Sequence, residues 1–112
     1  MKIYFSKLKK YSLKNGNPKN ILYFLLRNRE IVYIGITCKL EIRISMHRAN
    51  SSHVVRKKFD EVYYCDFIHE EEIELLEMYL INIFNPEYNK LKKWKQITMK
   101  EKSNLINKYF PQ

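Results

Sequence analysis

Six polar side chains occur along this chain in an order and with chemical types that suit one reaction. They are Tyr23, Tyr33, Arg43, His47, Glu77 and Asn89. Two phenols can carry or orient a proton, a guanidinium can hold a phosphate group, and a carboxylate can bind a divalent cation. Cleavage of a phosphodiester bond needs these kinds of groups. The set therefore indicates a class of chemistry before any fold is assigned.

Each of these residues also has a plainer interpretation when it is taken alone. Tyrosines in a hairpin are usually packing aromatics, and this chain has nine of them. Asn89 follows Pro86 closely and suits a turn or a cap. Glu77 falls within an apolar helical stripe, where a carboxylate is costly unless a cation or hydrogen-bond donors meet it. A structural role and a functional role fit that position equally well, so the argument depends on the ordered set.

The spacing of apolar residues predicts the elements that bring this set together. Two β-rich runs flank a four-residue connection at 27–30, which predicts a hairpin. Asn85-Pro86 ends the longest helix, and Thr98 is the expected N-cap of the last one. The predicted order is strand, strand, helix, strand, helix and helix, over residues 21–26, 31–36, 39–49, 61–68, 70–84 and about 98–109.

Two local patterns place candidate residues on these elements. Leu40, Arg43, Ile44 and His47 stand at i, i+3, i+4 and i+7, which predicts that they share one face of the first helix. Gly35 is one of only two glycines and lies inside a strand-like run. A glycine at such a position indicates a bulge or a close approach of backbone, with a plain strand end as the alternative.

Length and composition limit the class of protein. At 112 residues, 46% of them hydrophobic, we expect one ordered domain over 1–112, with its core at about 21–90 and a basic N-terminal arm at 1–20. A turn signal at 15–18 predicts that residues 1–14 form a leading arm or strand. The chain contains no run of roughly 18 uncharged apolar residues, which is the length that a membrane span needs. The N-terminus lacks the apolar region of a signal peptide, so we expect a cytoplasmic location. Cys38 and Cys65 have neither metal-site nor disulfide spacing.

The net charge of +9 is unevenly distributed along the chain. Residues 1–20 hold six lysines and no acid, whereas eight of the twelve acids lie between Asp60 and Glu77. Segregated charge of this kind attracts polyanions, although solubility alone would also account for excess lysine. A pI near 9.5 suits nucleic acid and also an anionic membrane surface. The candidate nucleic-acid contacts are Lys39, Arg48, Arg56, Lys57, Lys58, Lys90, Lys92 and Lys93.

Taken together, these residues resemble the GIY-YIG nuclease superfamily over roughly residues 21–90. Ile21-Leu22-Tyr23 stands where the first family motif lies, and Tyr33-Ile34-Gly35 matches the second motif in full. The likeness continues through Thr37, Leu40, Arg43, His47, Glu77, Pro86 and Asn89. Ile21 replaces the glycine of the first motif, which is structural in the family. The spacing from Glu77 to Asn89 is similar to that of the family's restriction enzymes and its excision-repair incision module.

The resemblance implies an α+β fold in which a small three-stranded antiparallel sheet is flanked by helices. It also implies a metal-dependent DNA endonuclease, in which Glu77 is the sole protein ligand of Mg²⁺ and Mn²⁺ can substitute. A single carboxylate suits Mg²⁺, because this ion keeps several of its waters.

The resemblance further implies a role for each remaining site residue. Tyr23 would take the proton from an attacking water, directly or through a neighbour, and Tyr33 would help to position that water. Arg43 would stabilise the pentavalent phosphate with assistance from His47, and Asn89 would anchor the site by hydrogen bonding.

The expected partner is duplex or branched DNA, without a membrane or a small-molecule cofactor beyond the metal. One active site cuts one strand, so a double-strand break requires a homodimer or two successive visits. A composition rich in Lys, Asn and Ile hints at a phage or mobile-element source. The alternative function is a catalytically silent nucleic-acid-binding module that retains the fold. A third reading makes the basic surface a protein- or membrane-interaction face.

Overall fold

The computed structural model describes residues 8–10, 21–49, 57–89 and 99–111, and in this part of the chain an antiparallel sheet of four strands is flanked by three helices. The strand order is β1-β4-β2-β3. The elements are β1 (Lys9–Lys10), β2 (Ile21–Arg27), β3 (Glu30–Thr37), α1 (Leu40–Arg48), β4 (Glu61–Cys65), α2 (Glu70–Phe84) and α3 (Met99–Tyr109). The predicted α+β class is confirmed.

The prediction of three strands is wrong by one, because β1 adds a short edge strand. Lys9 pairs with Tyr64 of β4, and its ammonium contacts the carboxylate of Asp66 at 2.8 Å. A strand of two lysines has no apolar alternation of its own, so its pairing partner and this ion pair determine its conformation. Part of the predicted basic arm is therefore an edge of the sheet.

The connection between β2 and β3 is also shorter than the four residues predicted. Arg27 and Glu30 pair with each other, which leaves a two-residue turn at Asn28 and Arg29. Their φ angles of 52° and 66° are the left-handed pair that a type I′ turn requires and that matches strand twist. Arginine is less favourable than glycine or asparagine at a left-handed φ. The Arg29 guanidinium donates hydrogen bonds to Glu61 at 2.9 and 3.1 Å, and these bonds hold Arg29 in the turn.

The register of this hairpin sets the arrangement of the candidate tyrosines. Tyr23 pairs with Gly35, and Leu25 pairs with Tyr33, so the two tyrosines lie diagonally across the same face of the sheet. A pairing irregularity places Val32 as an extra residue in β3. The bulge therefore lies at Val32, and Gly35 is instead a point of close approach to Tyr23.

Strand β2 is buried on both faces, which explains why its sequence is a continuous apolar run. One face packs with α2 and α3, through Leu22, Phe24, Leu26, Leu76, Leu80, Leu105 and Ile106. The other face packs with α1, through Ile21, Tyr23, Leu25, Leu40 and Ile44. The sheet therefore separates a structural core from the face on which Tyr23 and α1 meet.

The ends of the other elements mostly follow the sequence pattern. Helix α2 spans the predicted residues and ends at Phe84; the next residue, Asn85, has a left-handed φ of 45°, and Pro86 follows it. Strand β4 ends at Cys65 and not at Ile68, since the chain leaves the sheet before α2 begins. Thr98, the predicted N-cap of α3, lies outside the described residues.

None of the helices among the described residues is long and apolar enough to cross a lipid bilayer.

We predict that Gly35→Ala displaces the Tyr23 ring and destabilises the fold by about 1–3 kcal/mol. A Cβ on residue 35 would lie 2.7 Å from both Cζ and Oη of Tyr23, and Tyr23 is fully buried, so its ring cannot yield without moving its neighbours. Denaturant unfolding and the NMR signals of the Tyr23 ring measure the two effects. Unchanged stability together with an unmoved ring would show that this close contact is not a constraint.

Candidate active site

Tyr23 and His47 form the centre of the candidate site. Tyr23 lies in the middle of β2, and His47 lies in the last turn of α1, on the buried side that also carries Leu40 and Ile44. The Tyr23 Oη and the His47 Nε2 are 2.7 Å apart and share a buried hydrogen bond. The helical spacing that placed His47 beside Ile44 thus brings a titratable ring to the sheet.

Tyr33 completes a cluster of three rings. Its ring centroid lies 4.7 Å from that of His47 and 5.9 Å from that of Tyr23. The rings of Tyr23 and His47 are 5.8 Å apart. Residues separated by up to 24 positions in the sequence therefore share one face of the sheet, because the hairpin register and α1 converge there.

The environment of His47 favours its neutral form. The pKa of His47 is lowered to about 4, first by burial and then by the positive charges of Lys57 and Arg43. Its Nδ1 is buried and has no hydrogen-bond partner among the described residues. A neutral imidazole with its hydrogen on Nδ1 can accept a proton from Tyr23 at Nε2.

Both tyrosines are held in their protonated form. Burial raises the pKa of Tyr23 well above its usual value; the neighbouring Tyr33 adds to this rise, and the charge of Arg43 opposes it. Burial also raises the pKa of Tyr33, where Tyr23 and Arg43 oppose the rise and the charge of Glu77 adds to it. Neither phenol is therefore ionised at neutral pH. Tyr23 can accept a proton only if it passes its own proton on.

Arg43 and Glu77 bring opposite charges to the rim of this cluster. Arg43 is exposed on α1, and its charge acts on Tyr23, Tyr33 and His47. Glu77 is half-buried on α2, and its charge acts on Tyr33. The structure thus brings a cation and a carboxylate from two helices to the same phenol.

Asn89 fixes the backbone of β3 beside this cluster. Its Oδ1 accepts a hydrogen bond from the Ile34 N–H, and its Nδ2 donates one to the Ile34 carbonyl, both at 2.9 Å. Among the described strands, β3 stands at the edge of the sheet, and none of the others pairs with its outer backbone groups. Asn89 takes the place of a neighbouring strand at Ile34, between Tyr33 and Gly35. The six candidate catalytic residues therefore converge on one region.

The candidate nucleic-acid contacts are only partly described. Lys39 is exposed next to the first residue of α1, and the Arg48 guanidinium lies 5.2 Å from the Phe59 ring centroid. Lys57 and Lys58 lie in the segment that leads to β4. Arg56, Lys90, Lys92 and Lys93 lie outside the described residues.

Tyr88 is a positioning residue that the sequence analysis missed. Its N–H donates to the Val32 carbonyl at 2.9 Å, and its Oη accepts hydrogen bonds from the Lys58 N–H and the Arg27 guanidinium, both at 3.1 Å. It therefore joins the hairpin to the segment that carries Lys57 and Lys58. Its place next to Asn89 was the only available signal.

The donor set suits a cation that needs few protein ligands. Among the described residues, no group of three or more His, Cys, Asp or Glu side chains could hold a metal ion. Glu77 offers one carboxylate at the rim of the cluster, and the remaining ligands would be water and phosphate oxygens. Mg²⁺ favours this coordination, whereas a structural zinc site does not resemble it.

Residues 19–92 match the family model described as the GIY-YIG catalytic domain. The chain belongs to the GIY-YIG family. The match covers the hairpin, α1, β4 and α2, together with the segment that carries Asn89. No curated protein matches the chain significantly.

Solved structures of the GIY-YIG N-terminal endonuclease domain of UvrC from Thermotoga maritima share this fold. A point mutant of that domain, bound to its catalytic divalent cation, is 25% identical, with a TM-score of 0.56 over 69% of this chain and 89% of that one. The form bound to magnesium is 22% identical, with a TM-score of 0.55 over 68% and 89%. The GIY-YIG fold of this chain is thus supported by sequence and by structure.

We predict that the His47 imidazole titrates near pH 4, well below the ordinary value of 6.5. Between these values the unfolded chain binds a proton that the folded chain does not, so folding stability falls as the pH drops from 6.5 to about 4. The ring signals of His47, assigned by comparison with His47→Gln, report the titration, and urea unfolding at each pH reports stability. Titration near 6.5, with no difference between the two proteins in the pH dependence of stability, would contradict the described burial.

Proposed function

We propose that this protein is a metal-dependent endonuclease that hydrolyses phosphodiester bonds in DNA. The observation that carries the proposal is the 2.7 Å hydrogen bond between the Tyr23 Oη and the His47 Nε2. It links a phenol to a neutral imidazole at the point where Arg43 and Glu77 bring a cation and a carboxylate. Membership in a family of nuclease domains supports the same activity.

The proton of the attacking water moves to the Tyr23 Oη while the Tyr23 proton moves to the His47 Nε2. The water oxygen forms a bond to phosphorus, and the bond from phosphorus to the leaving oxygen breaks. The leaving oxygen keeps the electron pair and takes a proton from solvent water. This relay needs no phenolate at rest, which agrees with the raised pKa of Tyr23. A bound phosphate offsets the positive charges that lower the pKa of His47, and so makes the imidazole a better base in the complex.

Arg43 holds the phosphate in this mechanism. A guanidinium presents two parallel N–H donors to phosphate oxygens. Attack by water also adds negative charge to these oxygens, so Arg43 binds the pentavalent arrangement more strongly than the intact diester. Tyr33 borders His47 and Glu77 and would orient the attacking water.

Glu77 would hold the metal ion, and Mg²⁺ fits its single carboxylate best. When bound, the ion supplies polarisation of the phosphate and stabilisation of the leaving oxygen. The magnesium seen in the structure of the UvrC domain from Thermotoga maritima supports this choice, and Mn²⁺ is the expected substitute.

The substrate is DNA, and phosphate contacts supply most of the affinity. Lysines and arginines that contact phosphates carry no sequence information, so we expect modest site preference. Action on branched DNA, homodimer formation, a cytoplasmic location, a phage or mobile-element origin and a single domain over 1–112 all stay predictions.

We predict that the wild-type protein nicks supercoiled plasmid with Mg²⁺ or Mn²⁺ but not with EDTA, and that Glu77→Gln abolishes this activity. Glutamine keeps the shape of the side chain but removes the charge that attracts the cation. The matched control is Glu74→Gln, because Glu74 lies on the exposed side of the same helix and loses the same charge.

Two results would contradict the proposal. Metal-dependent nicking that survives Glu77→Gln would point to a contaminating nuclease. Retarded migration of duplex, branched and single-stranded DNA, without any metal-dependent product, would favour the catalytically silent binding module.

A further inference from the structure

Lys57 places a second cation beside the ring cluster. Its Nζ lies 5.0 Å from the centroid of the Tyr33 ring, a distance typical of a cation–π contact. The same Tyr33 ring lies 4.7 Å from the His47 ring. Lys57 is half-buried, whereas the next residue, Lys58, is exposed. The two adjacent lysines therefore have different environments.

Two backbone hydrogen bonds hold this segment beside the site. The Lys57 N–H donates to the His47 carbonyl at 2.9 Å, at the last turn of α1. The Lys58 N–H donates to the Tyr88 Oη at 3.1 Å, next to Asn89. The backbone of Lys57 and Lys58 is thus hydrogen-bonded to His47 of the cluster and to Tyr88 beside it. The Lys57 side chain reaches Tyr33 from an anchored backbone.

The charge of Lys57 acts on the same group as the charge of Arg43. After burial, Lys57 is the larger of the two charges that lower the pKa of His47. The charge of Lys57 therefore acts on the His47 imidazole at least as strongly as the charge of Arg43, which is part of the family motif. Both cations are placed to act on an anion bound beside His47.

We propose that Lys57 contacts the phosphate at the reacting centre together with Arg43, instead of contacting a neighbouring phosphate of the DNA backbone. The proposal rests on the nuclease function proposed above. A phosphodiester carries one negative charge, and attack by water that has lost its proton raises this to two in the pentavalent arrangement. A second positive side chain at the centre therefore attracts the phosphate more strongly in the transition state than in the complex with intact DNA. Arg43 supplies a fork of donors, and Lys57 supplies a point charge.

The test compares Lys57→Met with Lys58→Met, which remove the same charge from adjacent positions, and with Lys57→Arg, which keeps it. Single-turnover cleavage of a short DNA duplex is measured with saturating enzyme and Mg²⁺. Binding is measured over a range of salt concentrations with Ca²⁺ in place of Mg²⁺. Both methionine variants are expected to reduce the salt slope of binding by about one phosphate contact.

The cleavage rate separates the two positions. We expect Lys57→Met to cleave about 100-fold more slowly than Lys58→Met, the scale of losing one preorganised donor to a transition-state oxyanion. Lys57→Arg should recover part of that rate. Equal rates in the two methionine variants would overturn the proposal and would leave the nuclease function intact.

A second readout does not depend on cleavage, and so separates failure of the inference from failure of the proposed function. The ammonium NMR signal of Lys57, assigned by its loss in Lys57→Met, is followed as the short duplex is added in Ca²⁺. A shift of this signal together with the Tyr33 ring signals supports contact at the site, even if wild type makes no product. An unmoved Lys57 signal, with the duplex bound, overturns it.

Discussion

The Tyr23 ring lies directly against the backbone of Gly35. The contact is so close that a Cβ at position 35 would lie 2.7 Å from the Tyr23 Cζ and Oη. This contact lets one side chain be part of the buried core and also reach His47 with its hydroxyl. It depends on the pairing of β2 with β3, and Asn89 holds the outer edge of β3 at Ile34. The candidate site is therefore built from core packing, and small changes in the hairpin alter the positions of Tyr23 and His47.

Neutral groups occupy the centre of the site and charged groups surround it. Burial keeps Tyr23 and His47 uncharged at neutral pH, which avoids the large cost of burying ions. Arg43, Lys57 and Glu77 lie at the rim, where they stay partly hydrated. The proposed function would bring a phosphate and a metal ion, with the opposite charges, to this rim. A neutral centre with charged groups around it would suit the binding of a phosphate and a cation.

The sequence predicted elements whose signal is local and missed features that depend on a distant partner. The strand over residues 21–26 was predicted from its continuous apolar run, and α2 was predicted from apolar residues that recur with helical spacing over several turns. The sequence left an arm or a strand open for residues 1–14, because the strand at Lys9–Lys10 is stabilised by its pairing with β4 and not by a pattern of its own. The turn at Asn28 and Arg29 was assigned as too long because its strands pair up to Arg27 and Glu30. The contact of Lys57 with Tyr33 depends on tertiary hydrogen bonds that no sequence pattern records.

The most direct measurement of the central claim is a double-mutant cycle on the single-turnover cleavage rate, with Tyr23→Phe, His47→Gln and the double variant. Tyr63→Phe, on the opposite face of the sheet, controls for loss of a tyrosine hydroxyl. If Tyr23 passes its proton to His47, either single change stops the relay, so the double variant should be no slower than the single variants. Losses that multiply in the double variant would show that the two residues act independently and would contradict the relay.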